Sequence, residues 1–132
     1  MTAIDNWHAY IRSPNAAALH ALLDPDVTFD SPVVHTTQQG RAITAAYLTA
    51  AVSVLGTADF RYVGEWRSET GAVLEFETII DGITINGVDI IRMTDDGQRI
   101  AAFKVMIRPL KALSLVHQKM GEMLARSGGA RP

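Results

Sequence analysis

The chain has no cysteine, so disulfides, zinc thiolates and thiol nucleophiles are all excluded. It has no excess of positive charge. Twelve Lys and Arg stand against fourteen Asp and Glu, a formal net charge of −2, and no basic stripe is present to track a nucleic-acid backbone. No apolar run approaches the roughly 20 residues of a membrane span. The start, MTAIDNWHAY, lacks the basic region and apolar run of a secretory signal. These absences together make a cytoplasmic location the expectation. HExxH, P-loop, GxGxxG and GxSxG patterns are missing as well. No metal ligand set or cofactor is therefore expected.

What is present is an ordinary globular composition, 48% hydrophobic and 20% charged over 132 residues, enough for one domain with one core. A single domain over 1–126 is expected, followed by a flexible tail over 127–132, whose sequence SGGARP is linker-like. The first half reads as helices. Ile4, Trp7 and Ile11 form one stripe, and Ser13-Pro14 looks like the start of a second helix running to about Leu23. A short strand from Val27 to Asp30 and a loop containing His35 follow. A third helix covers about Arg41 to Leu55. The second half alternates: Asp59–Arg67, then 72–80, 83–94 and 99–108 read as strands, and Leu110 to about Arg126 as a closing helix. Helices first and a mostly antiparallel sheet afterwards make an α+β fold. A strongly curved sheet covered in this way forms a cone with the N-terminal helices over one face.

Gly82 to Arg108 organises the rest, with Asp89 at its centre. Asp81-Gly82 is a two-residue hairpin signal. That turn pairs Ile80 with Ile83, Phe76 with Gly87 and Leu74 with Asp89. Alternation then puts Leu74, Phe76, Thr78, Ile83, Ile85, Asp89, Ile91 and Met93 on one side and Glu75, Glu77, Thr84, Asn86 and Arg92 on the other. A three-residue loop at Asp95-Asp96-Gly97 places Asp89 opposite Phe103, with Phe103, Val105 and Ile107 on the buried side. A four-residue loop would bury Lys104 instead, and an unpaired buried ammonium is costly, so the first register is preferred. Asp89 is thus a carboxyl among apolar side chains. Desolvation raises the pKa of such a group. It can donate or shuttle a proton, or it can serve only to satisfy a nearby backbone or indole N–H.

The element order, with LLDPDVTFDSPVVHTTQQGRAITAAYL and NGVDIIRMTDDGQRIAAFKVMIRPLKAL, resembles the nuclear transport factor two-like fold. Within it the chain is similar to the SnoaL-like group, which also contains polyketide cyclase-like proteins, ketosteroid isomerase, limonene epoxide hydrolase and scytalone dehydratase. The resemblance spans about 4 to 110. It places Asp89 on the oxyanion-hole aspartic acid of ketosteroid isomerase, a published example of a carboxylic acid kept neutral by an apolar site. It also places Ser31 where that enzyme has its catalytic Asp before Pro, and Trp7 where it has its oxyanion tyrosine. Steroid isomerisation is therefore not expected.

The expected site has Asp89 and His35 as proton-transfer groups. Trp7, Ser31, Tyr47, Leu74, Phe76, Ile91, Phe103, Val105 and Ile107 are expected to hold the ligand. His35 also reads as a solvated loop histidine, and Tyr47 as a core tyrosine with a satisfied oxygen. His8, His20 and His117 read as surface or boundary residues. Three functions remain open: a cofactor-independent acid–base enzyme of isomerase, cyclase, hydrolase or dehydratase type on a hydrophobic small molecule, a non-catalytic binder of such a molecule, and an interaction module. The opposite sheet face mixes Val73, Ile79, Val88, Ile90 and Met106 with Glu75, Glu77, Arg92, Lys104 and Arg108. That composition suits a homodimer interface.

Overall fold

The computed structural model describes residues 1–126; the tail expected at 127–132 lies outside the described residues. Across them the chain forms α1 (Ala3–Arg12), α2 (Ala16–Leu22), β1 (Leu23–Asp30), β2 (Gln38–Gln39), α3 (Arg41–Leu55), β3 (Arg61–Arg67), β4 (Gly71–Ile80), β5 (Ile83–Met93), β6 (Ile100–Arg108) and α4 (Leu110–Arg126). The strands make one curved sheet in the order β2-β1-β6-β5-β4-β3. All pairings are antiparallel except β1 with β6, so the sheet is mixed. The helices lie over its inner face, where α4 packs on α3 and across β5 and β6.

Local chemistry accounts for most boundaries. The second helix starts later than Ser13-Pro14 suggests. Asn15 is its N-cap, and its side chain accepts from the Ala18 N–H at 2.8 Å. A cap of this kind contributes about 1 kcal/mol. The first strand begins at Leu23, earlier than expected, because α2 passes directly into it. Asp81 and Gly82 both have positive φ, 52° and 76°, as a two-residue hairpin requires. The β4–β5 register is the expected one, with Leu74 opposite Asp89, Phe76 opposite Gly87 and Ile80 opposite Ile83.

The next hairpin differs from expectation. Asp89 stands opposite Val105, and Phe103 pairs with Ile91. The loop is one residue longer than expected: the Thr94 N–H donates to the Arg99 carbonyl at 2.9 Å, leaving four residues between them. On its own that would turn Lys104 inward. A bulge cancels it, since Arg92 pairs with Ala102 and Met93 with Ile100, leaving Ala101 as the extra residue. Two one-residue shifts restore the alternation, so Phe103 and Val105 are buried and Lys104 is exposed.

A second bulge changes the edge strand. Tyr62 pairs with Phe76 but Gly64 pairs with Glu75, so Val63 is extra. Beyond it the faces exchange. Trp66, which strict alternation places beside Tyr62, lies on the outer face opposite Val73 and is 60% exposed. Its ring lies over Gly64, where an added Cβ would come within 2.7 Å of it. Glu65 turns to the inner side instead and meets His8 of α1 at 2.7 Å.

Candidate functional site

The inner face of the sheet and the helices enclose a cavity of about 400 Å³. Its wall is mostly apolar and includes a run of rings: Phe29, Tyr47, Phe60, Tyr62, Phe76 and Phe103 all contribute. These rings support one another. Phe60 stacks on Phe76 at 5.6 Å, Tyr62 meets Phe60 edge-on at 5.2 Å, and Phe29 lies against Tyr47 at 5.3 Å. Such pairs add about 0.5–1.5 kcal/mol each beyond the area they bury. Gly87 makes room for this wall. A Cβ there would come within 2.5 Å of the Phe76 ring and 2.6 Å of the Met106 carbonyl oxygen.

Three polar side chains form a line into this apolar space. α1 brings Trp7 over the sheet, where its ring meets Phe103 edge-on at 4.8 Å. The indole Nε1–H donates to the Tyr62 hydroxyl oxygen at 2.9 Å. The Tyr62 hydroxyl in turn donates to Asp89 Oδ2 at 2.6 Å. Asp89 is only 7% exposed and lines the cavity. Among the described residues no cation reaches its carboxyl, and the Tyr62 hydroxyl is its hydrogen-bond partner. Burial therefore dominates and pushes the Asp89 carboxyl up to about 7, against the Tyr62 hydrogen bond, which favours the charged form. The Tyr62 phenol is pushed up too, first by burial and then by the Asp89 charge, so it stays protonated and remains the donor. A carboxyl poised in this way can give or take a proton near neutral pH.

The structure brings most of the expected residues together. Trp7, Ser31, Tyr47, Phe76, Asp89, Phe103, Val105 and Ile107 all line the cavity. Leu74 and Ile91 face the same side but are closed over by the core and are not on its wall. His35 is not on the wall either; it is exposed in the loop after β1. The reason lies at Ser31, whose Oγ accepts from the Val33 and Val34 N–H groups at 3.3 and 2.9 Å. That turn sets Pro32 and Val33 against the cavity, and His35 beyond it stays in solvent. Trp7 does supply an indole donor, but to Tyr62 and not directly to Asp89.

The wall residues outside the expected set include Tyr62, Arg12 and His117. Tyr62 could have been found from its alternation with Phe60 had the β3–β4 register been known. His117 follows Val116 on α4 and is exposed, so its helix position resembles that of a surface residue. Among the described residues no group of three or more His, Asp or Glu is placed to hold a metal ion. No helix among them is long and apolar enough to cross a membrane.

The steroid delta-isomerase of Pseudomonas aeruginosa is 33% identical, with a TM-score of 0.88 over 97% of this chain and 93% of that one. An uncharacterised cystatin-like-fold protein of Silicibacter pomeroyi is 27% identical, with a TM-score of 0.86 over 96% and 87% of the two chains. A Catenulispora acidiphila protein with a ketosteroid isomerase-like fold, solved with trimethylamine, shares the fold at 17% identity, with a TM-score of 0.60 over 97% and 93%. A search of functionally curated proteins finds no match. The SnoaL-like domain model matches residues 4–103. The chain therefore belongs to the SnoaL-like domain family, within the nuclear transport factor two-like superfamily.

Proposed function

We propose that the cavity takes a hydrophobic, carbonyl-containing small molecule and that Asp89 moves a proton on it without a cofactor. The observation that carries this reading is the Tyr62–Asp89 hydrogen bond in an apolar cavity, with the carboxyl near 7. In its protonated form Asp89 can donate to a carbonyl oxygen. In its ionised form it can accept a proton from an acidic carbon or hydroxyl. Trp7 acts as a positioning residue, because its indole fixes the Tyr62 oxygen. The relative named a steroid delta-isomerase makes ketones the natural first class to examine.

A second reading, binding without chemistry, is favoured by Ser31. At the position where the resemblance would put a general base, this chain has a hydroxyl already engaged with two backbone N–H groups. Such a base contributes about 10²–10⁴-fold, so isomerisation of a 5-ene-3-ketosteroid is expected to be negligible. A thermal-shift screen of hydrophobic ketones and lactones tests both readings. A ligand at a hundredfold its dissociation constant stabilises by about 2.7 kcal/mol. Turnover lost in Asp89→Asn supports the enzyme, and binding without turnover supports the carrier. No shift from any compound removes both and leaves an interaction module.

We further propose that two copies pair through the outer sheet face. Trp66, Val63, Ile79 and Met106 are exposed there, beside the oppositely charged Arg61–Glu77 pair and Lys104. Apolar centres ringed by mixed charge are typical of such interfaces.

A further inference from the structure

The ionisable groups on the cavity wall are distributed unevenly. Asp89, deep on β5, is the sole carboxyl among the described lining residues. Arg12, in the last turn of α1, and His117, on α4, line the same cavity and are both exposed. Neither side chain has a hydrogen-bond or ion-pair partner among the described residues. The cavity thus has a buried hydrogen-bonding end at Tyr62 and Asp89, aromatic rings on its wall, and exposed lining residues that include a guanidinium and an imidazole.

From this arrangement we infer that the ligand is an amphipathic acid: a polar oxygen at the inner end, an apolar body, and a carboxylate at the outer, exposed part of the wall, held by Arg12, with His117 a second exposed group on the same wall. The guanidinium fork matches a carboxylate in a bidentate manner. An uncharged ligand would leave both outer groups unused. A cationic ligand would meet Arg12 at the outer end. The inference rests on the proposed function, since it names the substrate class of the same cavity.

The test is a matched pair of probes, 9-oxodecanoate and its methyl ester, titrated by calorimetry into the parent protein and into Arg12→Met and Arg12→Met/His117→Gln. Methionine keeps much of the apolar stem and removes the charge. The parent is expected to bind the acid at least fivefold more tightly than the ester. In Arg12→Met the ratio should fall to less than twofold. Ester binding equal to or tighter than acid binding in the parent overturns the inference while leaving the hydrophobic cavity reading in place. A preference that survives in the double variant overturns it in the same way. Failure of both probes to bind the parent overturns the inference and the cavity reading together.

Discussion

The Tyr62 hydroxyl and the Asp89 carboxyl lie 2.6 Å apart and act on each other in opposite directions. The carboxylate charge raises the phenol, and the phenolic O–H draws the carboxyl back toward its ionised form. Burial outweighs the second effect, because one neutral donor replaces only part of the lost hydration.

The first prediction follows from that balance. The Asp89 carboxyl should titrate with a midpoint near 7 by carbon-13 NMR. Tyr62→Phe removes the one hydrogen bond that lowers it, so the midpoint should move higher still. A midpoint at or below about 3.9, the ordinary value, would mean that the carboxyl is solvated or charge-paired, and proton transfer by it would have no physical basis.

Stability should carry the same signature. The folded-state pKa of Asp89 is raised, so its favourable contribution is complete below the unfolded-state value and is lost as pH rises through the folded one. The parent should therefore lose stability relative to Asp89→Asn between about pH 4 and about pH 7. Above that window the variant should be the more stable, by on the order of a few kcal/mol. The asparagine carbonyl can still accept from Tyr62. Urea denaturation of both proteins across the range would show it, and parallel pH curves would refute it.

Gly87→Ala should be destabilising by about 1–3 kcal/mol, the ordinary cost of overpacking. The Phe76 ring can swing, but the Met106 carbonyl oxygen at 2.6 Å belongs to the paired strand and cannot. Equilibrium unfolding gives the loss directly. A neutral result would show that β6 yields at this point and that the cavity wall is softer than its packing implies.

At micromolar concentration, sedimentation should give about twice 14.3 kDa if the outer faces pair. Trp66→Lys should then give a monomer, since it places a charge in the apolar patch. A monomeric parent ends the proposal.

Legibility in the sequence followed the turns. The β4–β5 register could be read because Asp81-Gly82 admits one short loop, and no bulge interrupts the ten paired positions. The inner-face position of Leu74, Phe76 and Asp89 follows from that turn, though Leu74 stops short of the cavity wall. At β5–β6 the face was right and the partner wrong, because the longer loop and the Ala101 bulge offset each other. Nothing in the local residue types marks Ala101 as extra. Tyr62 escaped because the β3–β4 turn around Ser68 and Thr70 has no strong signature. Without that register no reading pairs Tyr62 with Phe76, one step from the Leu74–Asp89 pair. The sequence leaves His35 open between site and solvent for a different reason. A loop has no period, and its path depended on the hydrogen bonds at Ser31.

The extra residue at Val63 bears on how chains of this kind can change length. Removing it would restore one-for-one pairing without turning any neighbour over, because Glu65 already opposes Leu74 and Trp66 already opposes Val73. Straightening the strand with Val63 retained would do the opposite. Trp66 would swing to the inner face and Glu65 would leave His8 for solvent. A one-residue deletion at this edge is therefore conformationally silent for everything downstream, while a full-length strand depends on the bulge. Alignments of chains that differ by one residue here should place the gap at 63, whatever the local residue identities suggest.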